Sequence, residues 1–217
     1  MLPFLVKLAR QREVLPISYG DGRLVFTRTG AKGTSGGAIE KGGNVEAGEA
    51  QFTNVERHSL YVVKGQGSAL PAAELSAEQR EEYLKTYVSP AGRATDSAVT
   101  RYRPLVILAE AKGDPGSFEA RARWEATVRA GQSRKLSYTV DGWGPASGGL
   151  WQINTLVPVK DDLLGVTGRY LIEGVTYTKS EQSGTTAQVA LVHPDAYQAL
   201  PAQDAAKSIT GIFDSEY

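Results

Sequence analysis

His58 and His193, the adjacent pair Asp161-Asp162, and the glycine-bearing segments Gly30-Ala31-Lys32-Gly33-Thr34 and Gly65-Gln66-Gly67 are the places where residue type and spacing admit chemistry. The imidazoles would serve as bases or metal ligands, but neither has a His or Cys partner at ligand spacing, so no metal site is expected. His193 precedes Pro194-Asp195, where a structural turn is the better reading. Adjacent carboxylates in a turn point apart, whereas a general acid and its partner must converge on one substrate, so Asp161-Asp162 is expected to be solvated turn charge. The first glycine segment resembles a phosphate loop only superficially, because its lysine and threonine do not stand together after a Gly-x-x-x-x-Gly spacing. The second has no third glycine three positions on and no dinucleotide-binding unit around it. No catalytic residue, metal or cofactor is expected, and the chain does not read as an enzyme.

What remains is the chemistry of contact. Arg101-Tyr102-Arg103-Pro104-Leu105-Val106 is a basic entry to an apolar strand, and Trp143 and Trp151 flank the loop Gly144-Pro145-Ala146-Ser147-Gly148-Gly149. Arg101, Arg103, Trp143 and Trp151 are therefore the candidate interface residues, since arginine and tryptophan supply much of the energy of protein junctions. Arg121, Arg123, Arg129 and Arg134 have Glu110, Glu119 and Glu125 among them, so a salt-bridged helix face competes there with an arginine-rich interface. Ala120, Trp124 and Val128 recur every four residues after Phe118, which predicts a core-facing stripe.

Composition narrows the classes. In 217 residues, 24 basic and 24 acidic side chains cancel, so no whole-chain field draws in nucleic acid or an anionic membrane. Cysteine is absent, which removes disulfides, thiol nucleophiles and thiolate zinc sites. No apolar run approaches the roughly eighteen residues of a membrane-spanning helix, and no signal peptide is read at the amino terminus. The 24 glycines beside 8% aromatics suit a turn-rich β architecture.

Residues 3–12 read as a short amphipathic helix whose Phe4, Leu5 and Leu8 need a packing partner. Residues 14–19 and 23–28 form a hairpin around Gly20-Asp21-Gly22, with Pro16 marking an edge or bulge. Only brief pairings at 38–40 and 44–46 are expected between Thr29 and Gly48, followed by a strand over 56–66. Residues 68–98 read as a helical insertion and linker, the helix capped near Ser76 and Gln79 and the connector Ser89–Asp96 flexible. A strand over 103–110, a helix from Ser117 through Ala130 closed by Gly131, and strands over 135–140, 155–160, 170–179 and 186–192 complete the pattern. Residues 105–109 together with those four strands suggest a small barrel closed around that helix or under it. The fold class is mainly β with a few helices (α+β). The expected domains are a hairpin domain over 1–67, the insertion over 68–98, a tube-like barrel over 99–200 and a tail over 201–217.

An ordered series of segments resembles the baseplate hub proteins of phage Mu-like contractile tails. The series runs Asp21-Gly22-Arg23-Leu24-Val25-Phe26-Thr27-Arg28-Thr29-Gly30, Glu56-Arg57, Tyr61-Val62-Val63-Lys64-Gly65-Gln66 and Arg101-Tyr102-Arg103-Pro104-Leu105-Val106. It continues with Ala122-Arg123-Trp124-Glu125, Arg129-Ala130-Gly131, Val140-Asp141-Gly142-Trp143, Gly149-Leu150-Trp151 and His193-Pro194-Asp195-Ala196-Tyr197. The resemblance implies a structural homotrimer on the tail axis, related to the T-even hub and to the base of the type VI secretion spike. It further implies contacts with the tail tube or a tube-initiator ring, the central spike and other baseplate proteins, with phage DNA only in transit and no membrane partner. The implied location is the virion baseplate, assembled in the bacterial host cytoplasm. Family members carry roughly another domain before the segment equivalent to Phe4, so the expectation is a fragment or a first module supplied by another polypeptide. Two other classes stand beside this reading: a tail-associated cell-wall-degrading component, and an oligonucleotide-binding β-barrel suggested by the arginines and tryptophans.

Overall fold

The computed structural model describes residues 9, 14–20, 22–65, 91–109, 115–182 and 184–199. The amphipathic helix expected over 3–12 (save Ala9), Asp21 of the hairpin turn, the helix expected within 68–90 and the tail over 201–217 lie outside the described residues. The elements run β1 (Leu15–Ser18), β2 (Leu24–Thr27), β3 (Ile39–Glu40), β4 (Val45–Phe52), β5 (Leu60–Lys64), β6 (Ala91–Thr95) and β7 (Pro104–Leu108). They continue with α1 (Pro115–Gln132), β8 (Arg134–Asp141), β9 (Leu156–Asp161), β10 (Val166–Ser180), β11 (Gly184–Val192) and a 3₁₀ turn over Pro194–Tyr197. This is a mainly β, α+β chain.

The chain forms two compact units, one from Met1–Glu56 with Thr127–Ala199 and the other from Arg57–Ala126 with Leu200–Tyr217. The first unit draws on both ends of its span, because β3 and β4 pair with strands more than eighty residues downstream. The division falls within α1.

In the first unit a six-stranded sheet has the order β3-β9-β10-β11-β8-β4. Its two edge strands are consecutive in sequence and separated only by Lys41–Asn44, so the sheet must curl until both edges reach one turn. Asn44 holds that turn: its Oδ1 accepts from Glu40 N–H at 3.0 Å, its Nδ2 donates to the Ala38 carbonyl at 3.0 Å, and its own carbonyl accepts from Asp141 N–H at 2.9 Å. Bulges at Val45/Ala47 and Ile172/Gly174 add local bend. The concave side carries the core at the two-residue period of strands: Leu136, Tyr138 and Val140 of β8, Val157 and Val159 of β9, and Ala187, Val189 and Leu191 of β11 are all buried. Residues 105–109 are not part of this wall, because β7 pairs instead with β5. The β1–β2 hairpin forms with the register Leu15↔Thr27 to Ser18↔Leu24, as its Gly-bearing turn predicts.

The second unit holds a three-stranded sheet of order β6-β5-β7, antiparallel between β5 and β6 and parallel between β5 and β7. Tyr61 and Val63 pack against Phe118 and Ala122 of α1. Residues 91–95, expected to be a flexible connector, are β6. Gly92 serves close packing: a Cβ there would stand 2.0 Å from backbone atoms of Phe118 and Glu119. The helix also differs from expectation in phase. Its buried positions are Phe118, Ala122, Glu125, Val128 and Gly131, so Ala120 and Trp124 lie off the buried face and are only partly covered. It begins at Pro115, where the fixed φ of proline suits a first turn, which places Ser117 inside the helix rather than at its cap. Gly131 is helical too, and its missing Cβ admits Ala196, whose backbone nitrogen would otherwise be 2.5 Å away.

Candidate functional site

The tryptophan loop is pinned from several sides. Trp143 Nε1 donates to the Thr178 carbonyl at 3.0 Å, and its ring meets Tyr177 edge-on at 6.0 Å. Trp151 N–H donates to the Trp143 carbonyl at 2.9 Å, Gly142 N–H donates to the Thr185 carbonyl at 2.8 Å, and Tyr177 Oη donates to the Trp151 carbonyl. Burial raises the Tyr177 pKa, which keeps that donor protonated. Gly142, Gly148 and Gly149 all have positive φ, which the path requires and other residues resist.

The two tryptophans separate. Trp151 is 1% exposed and belongs to the sheet core. Trp143 is 37% exposed and remains at the surface, near Leu150 at 52% and Tyr177 at 40%. A cleft of about 630 Å³ opens here between Tyr19, Arg23 and Val25 of the hairpin region and Leu150, Ile153 and Tyr177. Lys32 crosses it, with Nζ 4.2 Å from the Tyr19 ring centre and donating to Gln152 Oε1 at 2.8 Å. Among the described residues the cleft lining combines apolar surface with the cations Arg23 and Lys32.

In the second unit, Arg101 and Arg103 are exposed at the entry to β7, where Arg103 N–H donates to Ser59 Oγ at 2.7 Å. The strand alternates: Pro104, Val106 and Leu108 face out while Leu105 and Ile107 pack on the α1 core. The helical arginines are salt-bridged, Arg121 to Glu125 at 2.8 Å and Arg123 to Glu119, and in the first unit Arg129 reaches Glu56 at 3.2 Å. Arg121 also stacks over Trp124 at 4.9 Å. These pairs are what a salt-bridged helix face requires.

The residues first considered for chemistry have structural duties. His193 Nδ1 accepts from Asp195 N–H at 3.3 Å and caps the 3₁₀ turn. His58 stands edge-on to Tyr61 and donates its backbone N–H to that hydroxyl at 3.0 Å. Asp161 is not solvated: at 2% exposure it accepts from the N–H groups of Leu163 and Leu164, both at 3.0 Å, and from Tyr138 Oη at 3.2 Å. Burial and the Asp161 charge push the Tyr138 pKa up, so the phenol stays a donor. Asn154, which sequence reading passed over, is 2% exposed with φ of 63°. Its Oδ1 accepts from Gly30 N–H at 2.7 Å and its Nδ2 donates to the Arg28 carbonyl at 2.9 Å, tying the post-hairpin turn to the sheet. An Asn preceding a strand was the available signal, since Asn tolerates positive φ. Among the described residues no group of three or more His, Asp or Glu is placed to hold a metal.

Residues 115–200, covering α1 and β8–β11, match the family described as Mu phage baseplate assembly protein GpP, fourth domain. The chain is similar to the baseplate hub protein gp44 of Escherichia phage Mu, at 34% identity over 188 residues, 86% of this chain and 48% of that protein. It superposes on the crystal structure of the 43 kDa tail protein of prophage MuSo2 from Shewanella oneidensis with a TM-score of 0.71 at 32% identity, over 92% of this chain and 53% of the other. The tail protein of Neisseria meningitidis MC58 shares the fold, with a TM-score of 0.68 at 18% identity over 92% and 56% of the two chains. The chain thus spans about half the length of each relative it matches. On the match of residues 115–200, the 34% identity to gp44 and the superposition on the MuSo2 tail protein, the chain belongs to the Mu-like phage baseplate hub family.

Proposed function

We propose that this chain is a structural, non-catalytic component of the baseplate hub of a contractile phage tail. In this reading three copies surround the tail axis, form part of the central channel, and join the tail tube or its initiator ring to the central spike. The observation that carries the reading is the match of the chain to a Mu baseplate hub protein, with the curled sheet of residues 134–192 as the wall element. A rigid, fully packed sheet suits a channel wall, because its interior is filled by side chains such as Trp151 and Tyr138 and its convex surface is left for neighbours. Electron cryomicroscopy of tails assembled with this chain tests the proposal: density for it is expected around the central axis between tube and spike, and density at the baseplate periphery would sink it.

A further inference from the structure

The first unit carries an exposed apolar knob beside an acid and, at a distance from it, an apolar cleft crossed by a cation. The knob is the turn over 162–165, which joins β9 to β10 where Asp161 pairs with Val166. It is held from within: buried Asp161 accepts from the N–H groups of Leu163 and Leu164, both at 3.0 Å, and Leu164 packs on the sheet core. Leu163 is left 80% exposed at the tip. A side chain presented on a fixed turn loses little freedom when it docks. Asp162 beside it is exposed, and its carboxylate has no hydrogen bond or ion pair among the described residues. The nearest bases along the chain, Lys160 and Arg169, alternate with inward-facing Asp161 and Tyr170, so they stand on the outer face of the sheet, back from the tip.

The cleft is the one beside the tryptophan loop, walled by Val25, Leu150, Ile153, Val175 and Tyr177. Lys32 is fixed across it by two neutral groups, the Tyr19 ring and Gln152 Oε1, and has no carboxylate partner among the described residues. Arg23 lines the cleft too, but Asp21, close to it in the hairpin turn, lies outside the described residues, so Lys32 carries the charge argument. Knob and cleft stand at opposite ends of one long strand. Val166 begins β10 beside the turn, whereas Val175 and Tyr177 of the same strand line the cleft, roughly 30 Å away at ~3.3 Å per residue. β10 is paired with β11 along that whole stretch, so the turn cannot fold back into the cleft of its own chain.

We propose that the β9–β10 turn of one copy enters the cleft of the next, with Leu163 against the apolar wall and the Asp162 carboxylate on Lys32 Nζ. A second copy is the occupant because one chain carries both the acid with its apolar knob and the cation with its apolar cleft, and holds them too far apart to meet. Such a head-to-tail contact is heterologous and closes into a ring when the rotation allows. The ring geometry rests on the hub reading above; the contact itself is measurable in solution.

The test is complementation between variants, read by sedimentation equilibrium of the full chain. Lys32→Glu, which spoils the cleft, and Leu163→Asp, which spoils the knob, each weaken self-association by about tenfold or more. Mixed in equal amounts they associate again, because the first still offers a sound knob and the second a sound cleft, and they stop at one-to-one pairs. That recovery also shows that both variants are folded. Lys32→Glu combined with Asp162→Lys in one chain restores self-association, since the two charges are exchanged across the contact. Association indifferent to either variant, a mixture that stays monomeric, an exchange that restores nothing, or a parent chain that is monomeric at about 100 µM overturns the contact. A chain found on the tail axis whose association ignores these substitutions sinks the knob-and-cleft contact alone. One found away from the axis but obeying them sinks the hub reading alone.

Discussion

Trp143 and Trp151 occupy equivalent places at the ends of one glycine-rich loop, yet burial gives them different work. Trp151→Ala is expected to lower stability by about 3 to 5 kcal/mol through the cavity it leaves. Trp143→Ala removes one hydrogen bond and one ring contact at the surface and should cost about 1 to 2 kcal/mol. Denaturant titration of the two variants checks this, and equal losses would mean that the surface position is as tightly integrated as the core one. The Arg57–Asp96 pair sets a pH dependence. Its side chains are 10% and 9% exposed, with contacts of 2.8 Å from both Nε and Nη2. Burial alone would raise the Asp96 pKa, but the Arg57 hydrogen bonds, the Ala98 N–H and the Arg57 charge outweigh it and hold the carboxyl below its ordinary 3.8. A depressed carboxylate pKa stabilises the fold above the unfolded value, and that contribution is lost as pH falls through the folded one. Below about pH 4 the parent should therefore lose stability faster than Asp96→Asn, and parallel acid melting curves would refute the assignment.

At the scale of elements, α1 is seated by absences of side chain. Gly92→Ala would drive a methyl group into the helix backbone at 2.0 Å, whereas Gly33→Ala meets no atom within 4 Å and is strained only by its positive φ. The first should cost about 3 kcal/mol or more and loosen β6 from α1, the second about 1 kcal/mol. Hydrogen exchange of β5 and β6 amides reports the difference, with faster exchange expected in the Gly92 variant alone. Element existence was legible in the sequence for most strands and for the helix, because β-branched alternation and four-residue spacing are local signals. Helix phase was not. Trp124 is the largest residue of the 118–128 repeat, yet the close approach allowed by Gly92 and Gly65 favours small Ala122 and ring-shaped Phe118 on the packed face.

At the scale of the molecule, the hub reading predicts a native mass of three copies by light scattering, or of a ring completed by partner chains. A stable monomer in the assembled tail would contradict it. Barrel membership was misjudged in sequence for a physical reason: β7 and the four downstream strands share composition, but hydrogen-bond partnership is decided by what lies alongside. The strands at the edges of the curled sheet, β3 and β4, come from before the intervening unit, and β4 carries Glu46, Gly48 and Glu49 where a plain strand pattern would carry β-branched residues.

The sequence by itself determined the β-rich class, the β1–β2 hairpin, the strands downstream of α1, the lack of metal-ligand spacing and the family resemblance, because each is written in local pattern or ordered segments. Only the tertiary structure decided which tryptophan is core, that Asp161 and Asn154 are buried ties, that residues 91–95 are a strand, and which strands lie alongside one another. Those outcomes depend on pairings between distant segments and on backbone approaches that a missing Cβ permits, and neither leaves a periodic mark along the chain.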